Sequence, residues 1–554
     1  QSVRSVDQNL YWIWTNYLSF NYNFNDFLNL QVMLGQEAQE SKWEGMSGSR
    51  KVFISNDIQE LNAGDSETAG NGGYKGSSAI ESYFGRAVFN FLDRYMLTST
   101  FRYDGSSKFA DGNKWGFFPS FAVAWKINKE NFMSNVDFIS NLKLRAGYGA
   151  VGNQGVSNYL YGVSLTNYPT KFGTGLLPSN YSNEELQWET SNTYNLGLDL
   201  AILNNRIEIV AEVYRKYVDN LLMRLPLPLM MGSSGTGSIA APWVNIGKME
   251  NEGFELTLNT VNTTGQVKWN TGITFTMNRN KVTNVADNVI DGYVQWFDHV
   301  TRTDVGKPVG QFYGYVVEGV FANAEDIQNH ASQSASIDKY AGTWVGDLKF
   351  SDLNGDGIIN EEDRTVIGDP NPDFSFGINN TVSYKGFDLS LLLTGMYGND
   401  VFNYMRRKTE SLDGRTNQMA TITDRAQLAV IDEGVSDEIV NNVYLVNVGT
   451  DLPRISTSDP NNNRRISSRY IEDGSFLRIK NLSVGYTLPQ NLVSKAGISN
   501  CRVYLNFQNI YTFSKYKGYD PEVGNYNQSP VLLGIDNGYY PSPTIYTIGA
   551  NINF

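Results

Sequence analysis

PTIYTIGANINF, residues 543–554, places Thr544, Tyr546, Ile548, Ala550, Ile552 and Phe554 on one side of an extended chain. Ile545, Thr547, Gly549, Asn551 and Asn553 fall on the other. Side chains of a strand alternate with period two, so this is a strand with one greasy and one mostly wet face. A sandwich would bury the greasy face between sheets. A membrane barrel turns it to lipid and turns its polar face to a watery lumen. The terminal aromatic suits a membrane interface and favours the barrel.

The same design recurs along the chain. Tyr95, Leu97, Ser99, Phe101 and Tyr103 alternate with Met96, Thr98, Thr100 and Arg102, and Phe121, Val123, Trp125 and Ile127 with Ala122, Ala124 and Lys126. Leu142, Leu144, Ala146 and Tyr148 repeat the pattern, as do Tyr194, Leu196, Leu198, Leu200 and Ile202. Tight turns are expected at 90–95, 203–206 and 383–388. Long polar stretches at 37–78, 150–188, 279–372 and 400–465 are expected to be loops. Short turns on one side and long loops on the other are the mark of an outer-membrane barrel. The expected fold is all-β: a large antiparallel transmembrane β-barrel with long extracellular loops, with roughly fifteen strands in this stretch.

Composition agrees. The 554 residues carry 52 glycines, 33 tyrosines and a net charge of −13. No apolar run approaches the length of a membrane helix. The acidic balance argues against nucleic acid, whose phosphates would be repelled. One cysteine, Cys501, rules out internal disulfides, and two histidines, His299 and His330, leave little for histidine-based catalysis. GSSG at 232–235 has no strand-to-helix setting for a nucleophile, and GAVGNQG at 149–155 has no following amphipathic helix to cradle a phosphate. No catalytic constellation emerges, and the chain is read as a non-enzyme.

Several phrases resemble the SusC/RagA-type TonB-dependent outer-membrane transporters of the Bacteroidetes. They are TFRYDGSSKFADGNKWGFFPSFAVAWKINKENFM at 100–133, LKLRAGYGAVGNQG at 142–155, and LQWETSNTYNLGLDLAILNNRIEIVAEVYRKYVDNLL at 186–222. NIGKMENEGFEL at 245–256, GKPVGQFYGYVVEGVF at 306–321, the run from DLNGDGIINEED to GNDVFN at 352–403, and FLRIKNLSVGYTLP at 476–489 follow in order. The resemblance implies a barrel of about 22 strands in the full protein. Residues 1–554 would then be the C-terminal part of one barrel domain, with a long extracellular loop at 279–372. The family's signal peptide, N-terminal extension, TonB-contacting segment and plug would lie upstream of it. It also implies a cell outer-membrane location, contact with outer-membrane lipid, a SusD-like surface lipoprotein as lid, and TonB as energy source. The expected activity is import of oligosaccharides. An oligopeptide cargo, a passive porin and a surface glycan-binding protein are the alternatives.

Two sets of candidate site residues follow. Asp352, Asn354 and Asp356, with Gly357 next, match the first half of an EF-hand-type calcium loop. Ile358 would offer its carbonyl, Asn360 could reach the ion directly or through water, and Asp363 stands where glutamate is usual. The expected cofactor is a structural Ca2+ stapling loop 279–372; the alternative is a turn held by Asn and Asp side chains alone. The second set is the loop aromatics Tyr159, Tyr161, Trp243, Tyr293, Trp296, Phe297 and Trp344, whose faces could stack on substrate or build loop cores. The charges Arg102, Lys126, Lys143, Arg145, Asp199 and Glu208 are expected to line the lumen, where they guide substrate, meet the plug or pair with each other. Tyr95, Trp125, Tyr148 and Phe507 are expected as headgroup-level anchors on the lipid face.

Overall fold

The computed structural model describes residues 1–24, 27–225, 239–295, 298–412 and 416–554. Fifteen long strands form one antiparallel sheet whose order follows the chain. They are β1 (Ser2–Phe24), β2 (Leu28–Arg50), β3 (Gly70–Phe91), β4 (Tyr95–Ser106), β5 (Trp115–Lys126), β6 (Ile139–Asn153), β7 (Glu189–Ile202) and β8 (Ile207–Arg224). Then come β9 (Trp243–Thr264), β10 (Val267–Asn284), β11 (Phe374–Tyr384), β12 (Phe387–Tyr397), β13 (Phe476–Thr487), β14 (Asn500–Ser514) and β15 (Ile545–Asn553). The strand count agrees with the period-two reading. No helix among the described residues is long and apolar enough to cross a membrane.

The expected turns are where the alternation breaks. Leu92 and Asp93, Leu203 to Asn205, and Lys385 with Gly386 adopt left-handed backbone, the geometry that lets a two-residue hairpin follow strand twist. The expected loops are corrected at their edges. Strands β2 and β3 run on to Arg50 and from Gly70, so the 37–78 stretch shrinks to 51–69. Likewise β6 reaches Asn153 and β10 reaches Asn284. The tops of β2 and β3 are mostly polar or glycine on both faces, which hides them from a hydropathy reading.

The chain falls into two compact units, Gln1–Ala201 with Glu212–Glu250, and Ile202–Ala211 with Asn251–Phe554. In the first, β1 and β2 are each 23 residues long, about twice what a tilted strand needs to cross hydrocarbon. One face of β2 reads Leu28, Leu30, Val32 and Leu34, then turns to Gln36, Glu40, Lys42 and Glu44. Apolar belt and wet extension thus share one strand. Register keeps the belt continuous: Tyr95 lies opposite Trp125, Leu97 opposite Val123, and Val123 opposite Ala146. Beside the wall, Phe109, Phe118, Val156, Leu186 and Trp188 form a buried cluster under the long-loop end.

In the second unit the connections are folded. Segment 285–373 builds a four-stranded sheet from Val289–Val294, Asp298–Asp304, Gln311–Gly314 and Thr365–Gly368. It also pairs Val317–Val320 with Leu348–Phe350 and forms the helix Ala324–Gln328. Segment 398–475 adds a strand, Asp400–Asn403, and a hairpin of Leu428–Val430 with Val443–Leu445. Two buried clusters hold these pieces, one around Phe312, Phe402, Tyr404 and Tyr470, the other around Phe321, Trp344, Val345 and Val443. A loop with its own apolar core stays ordered against the entropy of a long chain.

Candidate functional site

The polar face of the first unit carries charge in pairs. The Arg145 Nε donates to Asp199 Oδ1 at 2.9 Å and its Nη1 to Glu212 Oε2 at 3.1 Å. Lys143 Nζ reaches Asp199 Oδ2 at 3.0 Å, and Asn195 Nδ2 donates to Glu212 Oε1 at 3.1 Å. Arg102 Nε bonds Asp104 Oδ1 at 2.7 Å while its Nη2 meets Ser82 Oγ at 2.8 Å and Glu37 Oε1 at 3.4 Å. Lys126 is drawn instead to the short-turn end, where Asp93 Oδ1 accepts from it at 2.7 Å. These groups satisfy one another, as a half-buried polar face requires. Glu208 stands apart in the second unit, exposed beside a polar cavity of 300 Å³ shared with Asn259 and Asn379.

The anchor residues have polar handles. Tyr95 and Trp125 stack at 6.4 Å between centroids, and both donate to Glu130, the Trp125 Nε1 at 2.9 Å. An aromatic body with its hydrogen-bonding end tied down suits a headgroup level. Phe507 packs edge-on to Tyr546, and Tyr148 lies against Tyr194 with its hydroxyl on Asn192.

The loop aromatics separate by burial. Trp344 is 2% exposed inside a loop core, and is corrected from candidate contact to core residue: no ligand reaches a ring sealed by Phe321 and Val345. Trp243 is half-buried, packed against the Phe109–Trp188 cluster with the Arg224 guanidinium over its ring at 5.5 Å. Tyr161 is half-buried, whereas Tyr159 and Tyr293 are exposed. The Asn183 side chain donates to the Trp243 carbonyl at 2.8 Å and its amide to the Leu160 carbonyl at 3.1 Å, so the 159–161 segment and Trp243 are joined. Trp296 and Phe297, and GSSG at 232–235, lie outside the described residues.

Tyr293 tops a small charged cluster that sequence reasoning missed. Its ring lies 5.2 Å from that of His299, which lies 5.5 Å from Tyr313. His299 Nε2 is 2.9 Å from Asp291 Oδ1, and Arg364 Nη1 is 3.0 Å from His299 Nδ1. A guanidinium only donates, so Nδ1 is the acceptor and Nε2 carries the proton. Burial, with the Arg364 and Arg302 charges adding to it, holds this imidazole below its usual range. Residues 291, 299 and 364 are far apart in sequence, and only the sheet brings them together.

The 352–363 loop is wrapped by its own side chains. Asp352 accepts from the Gly355 and Gly357 amides at 2.7 and 2.9 Å, Asn354 from Asp356, and Asp356 from Ile358. Gly355 and Gly357 sit at φ of +76° and +82°, which only glycine adopts without strain. The amide bonds hold the Asp352 carboxyl below its usual range. Asp363 is fully buried, its two oxygens taking the Leu353 and Asn360 amides at 2.9 and 2.8 Å. The oxygen-only donor set suits a hard cation. Positions 352 to 358 have the wrap such a loop needs, while Asp363 faces backbone. No cluster of three or more His, Cys, Asp or Glu converges on one point among the described residues.

The family model described as TonB dependent receptor-like, beta-barrel matches residues 2–510, and the chain belongs to that family. It is 34% identical to TonB-dependent receptor P3 of Formosa agariphila, over 97% of this chain and 52% of that protein. It is 29% identical to TonB-dependent receptor SusC of Bacteroides thetaiotaomicron, over 97% of this chain and 51% of the other. The solved RagAB peptide transporter matches all of the chain and 56% of its own, with a TM-score of 0.82 at 23% identity. The chain spans about half the length of the curated relatives it matches. It is a β-barrel wall of the SusC/RagA type, and its place is the outer membrane.

Proposed function

We propose that the whole protein is a TonB-coupled importer that takes up oligosaccharides with the help of a SusD-like surface lipoprotein. The family match over residues 2–510 carries this reading. Two features support it. The polar-face charges are committed to one another, which leaves a hydrogen-bonding rather than a strongly charged path. The exposed ring of Tyr159 and half-buried Tyr161 stand in a loop, Trp243 opens strand β9 and Tyr293 lies on the short strand Val289–Val294, and sugar faces could stack on such rings. In such a device the rate follows conformational gating, not bond chemistry. The competing cargo is an oligopeptide, the substrate class that the RagAB relative's name gives for that protein. Growth of a strain lacking the full-length gene separates them: loss of growth on one oligosaccharide, restored by the gene, supports the proposal. Loss on oligopeptides alone would replace it.

We also propose that the 352–363 loop takes Ca2+ through Asp352, Asn354, Asp356, the Ile358 carbonyl and Asn360. Asp363 would have to give up an amide bond to join. The ion would supply no chemistry beyond cross-linking the loop.

A further inference from the structure

Segments 285–373 and 398–475 of the second unit finish each other's hydrogen bonding. Within the first, Leu348–Phe350 pairs with Val317–Val320, and Leu348 also meets side chains of the second. Its amide donates to Asn463 Oδ1 at 2.8 Å, and its carbonyl accepts from Asn461 Nδ2 at 3.0 Å. A carboxamide offers the same N–H and C=O as a peptide, so these two side chains stand in for a strand. Gln333 of the first segment joins in. Its Nε2 donates to Asn461 Oδ1 at 2.9 Å, and its Oε1 accepts from the Phe350 amide at 2.7 Å. Asp347 Oδ1 accepts from Arg454 Nε at 2.8 Å and from Asn463 Nδ2 at 3.0 Å. Asp347 and Asn461 are fully buried, and Asn463, Arg454 and Gln333 are buried beside them.

A second seam joins the same two segments elsewhere. Arg407 grips Asp298 with two parallel bonds, Nη1 to Oδ2 at 2.8 Å and Nη2 to Oδ1 at 2.9 Å. Phe402, Tyr404 and Tyr470 of the second segment share a core with Val300 and Phe312 of the first. Backbones meet as well: the Asp400 amide donates to the Asp369 carbonyl at 2.8 Å, Leu445 to Ala322 at 2.8 Å, and Arg454 to Gly346 at 2.7 Å. A buried polar group is tolerated only while it is partnered. If the second segment peeled away alone, the Asp347 carboxylate would stay behind between the core residues Val345 and Leu348, and the Leu348 peptide would lose both partners. If the first left alone, Arg454, Asn461 and Arg407 would be stripped in turn. Moving together keeps every one of these bonds.

We propose that segments 285–373 and 398–475 are one cooperative body, so that the long-loop end opens and closes by concerted motion of both and not by either alone. The contacts that carry this lie within one compact unit, and the inference does not depend on the importer reading. For an importer it specifies the gate: a flap of two segments locked by Asp347, Asn461 and Asn463 at one seam and by Asp298 and Arg407 at the other. A network of this kind is either fully bonded or stripped, which is what gives a moving element two discrete states.

The test is amide hydrogen exchange, read by mass spectrometry on the full-length protein in detergent. Guanidinium is kept too dilute to unfold the wall, and the pH high enough that opening limits exchange. Peptides spanning 343–350 and 400–404 should take up deuterium in step, as paired mass envelopes that convert at rates within about threefold of each other. Asn463→Ala, a change in the second segment, should speed exchange at least about tenfold across 343–350, 298–304 and 400–404 alike. Strands β12 and β13 should keep the parent's rates. Arg407→Gln, at the other seam, should speed the same three peptides. A role confined to local packing would move only 343–350 in the first variant and only 298–304 in the second, and that result overturns the proposal. So do parent peptides that exchange out of step by more than about threefold. If neither variant folds, the parent's two peptides decide.

Discussion

Asp199 of β7 joins two cations of the neighbouring strand β6, and removing it leaves Lys143 without its partner and Arg145 with Glu212 alone. A half-buried donor stripped of its acceptor costs about 1–3 kcal/mol. Asp199→Ala should therefore lose its folded, heat-modifiable band at a lower temperature than the parent, while Asp199→Asn keeps part of the bonding and falls between. His299 makes a second prediction. The fold holds its ring neutral between Asp291 and Arg364, with the affinity for a proton lowered by burial. The unfolded chain binds that proton more readily, so stability is full above the ordinary histidine value near ~6.5 and falls as the pH drops below it. The 285–373 segment should become more protease-sensitive in mild acid, and His299→Gln should flatten that dependence. Neither residue's role was legible in full. Asp199 could be placed on the polar face from alternation, but its partners lie 54 and 56 residues away in sequence. Nothing in the local pattern distinguishes Trp344 from Tyr293, because burial is a property of the folded loop.

Strands were the most legible elements, since a wall with lipid on one side imposes its period directly on the chain. The hairpins at 92–93, 203–205 and 385–386 were equally readable from the break in alternation. Strand tops were not: β2 and β3 turn mostly polar or glycine on both faces above the apolar belt, a composition that a loop shares. The interior of 285–373 was also closed to such reading, because its short strands of three to seven residues carry too few positions to define a period. The exception is DLNGDGIINEED, whose spacing is local enough to survive. If it takes Ca2+, chelation should expose this segment to protease, and Asp352→Ala with Asp356→Ala should do the same without chelator. Equal digestion of parent with calcium, parent with chelator and the double variant would leave the loop as a turn held by its own Asn and Asp side chains.

At the scale of the whole molecule, we propose that this wall belongs to an energised importer and not to an open pore or a surface adhesin. Family membership supports the first, and the apolar belt with its folded long-side loops suits a membrane wall. The most direct measurement is accumulation of a labelled oligosaccharide in intact cells carrying the full-length protein, with TonB present and absent. Accumulation against the gradient that collapses without TonB, or on adding a proton uncoupler, is the predicted result. Entry that merely equilibrates and ignores TonB would contradict the account and make the protein a passive pore.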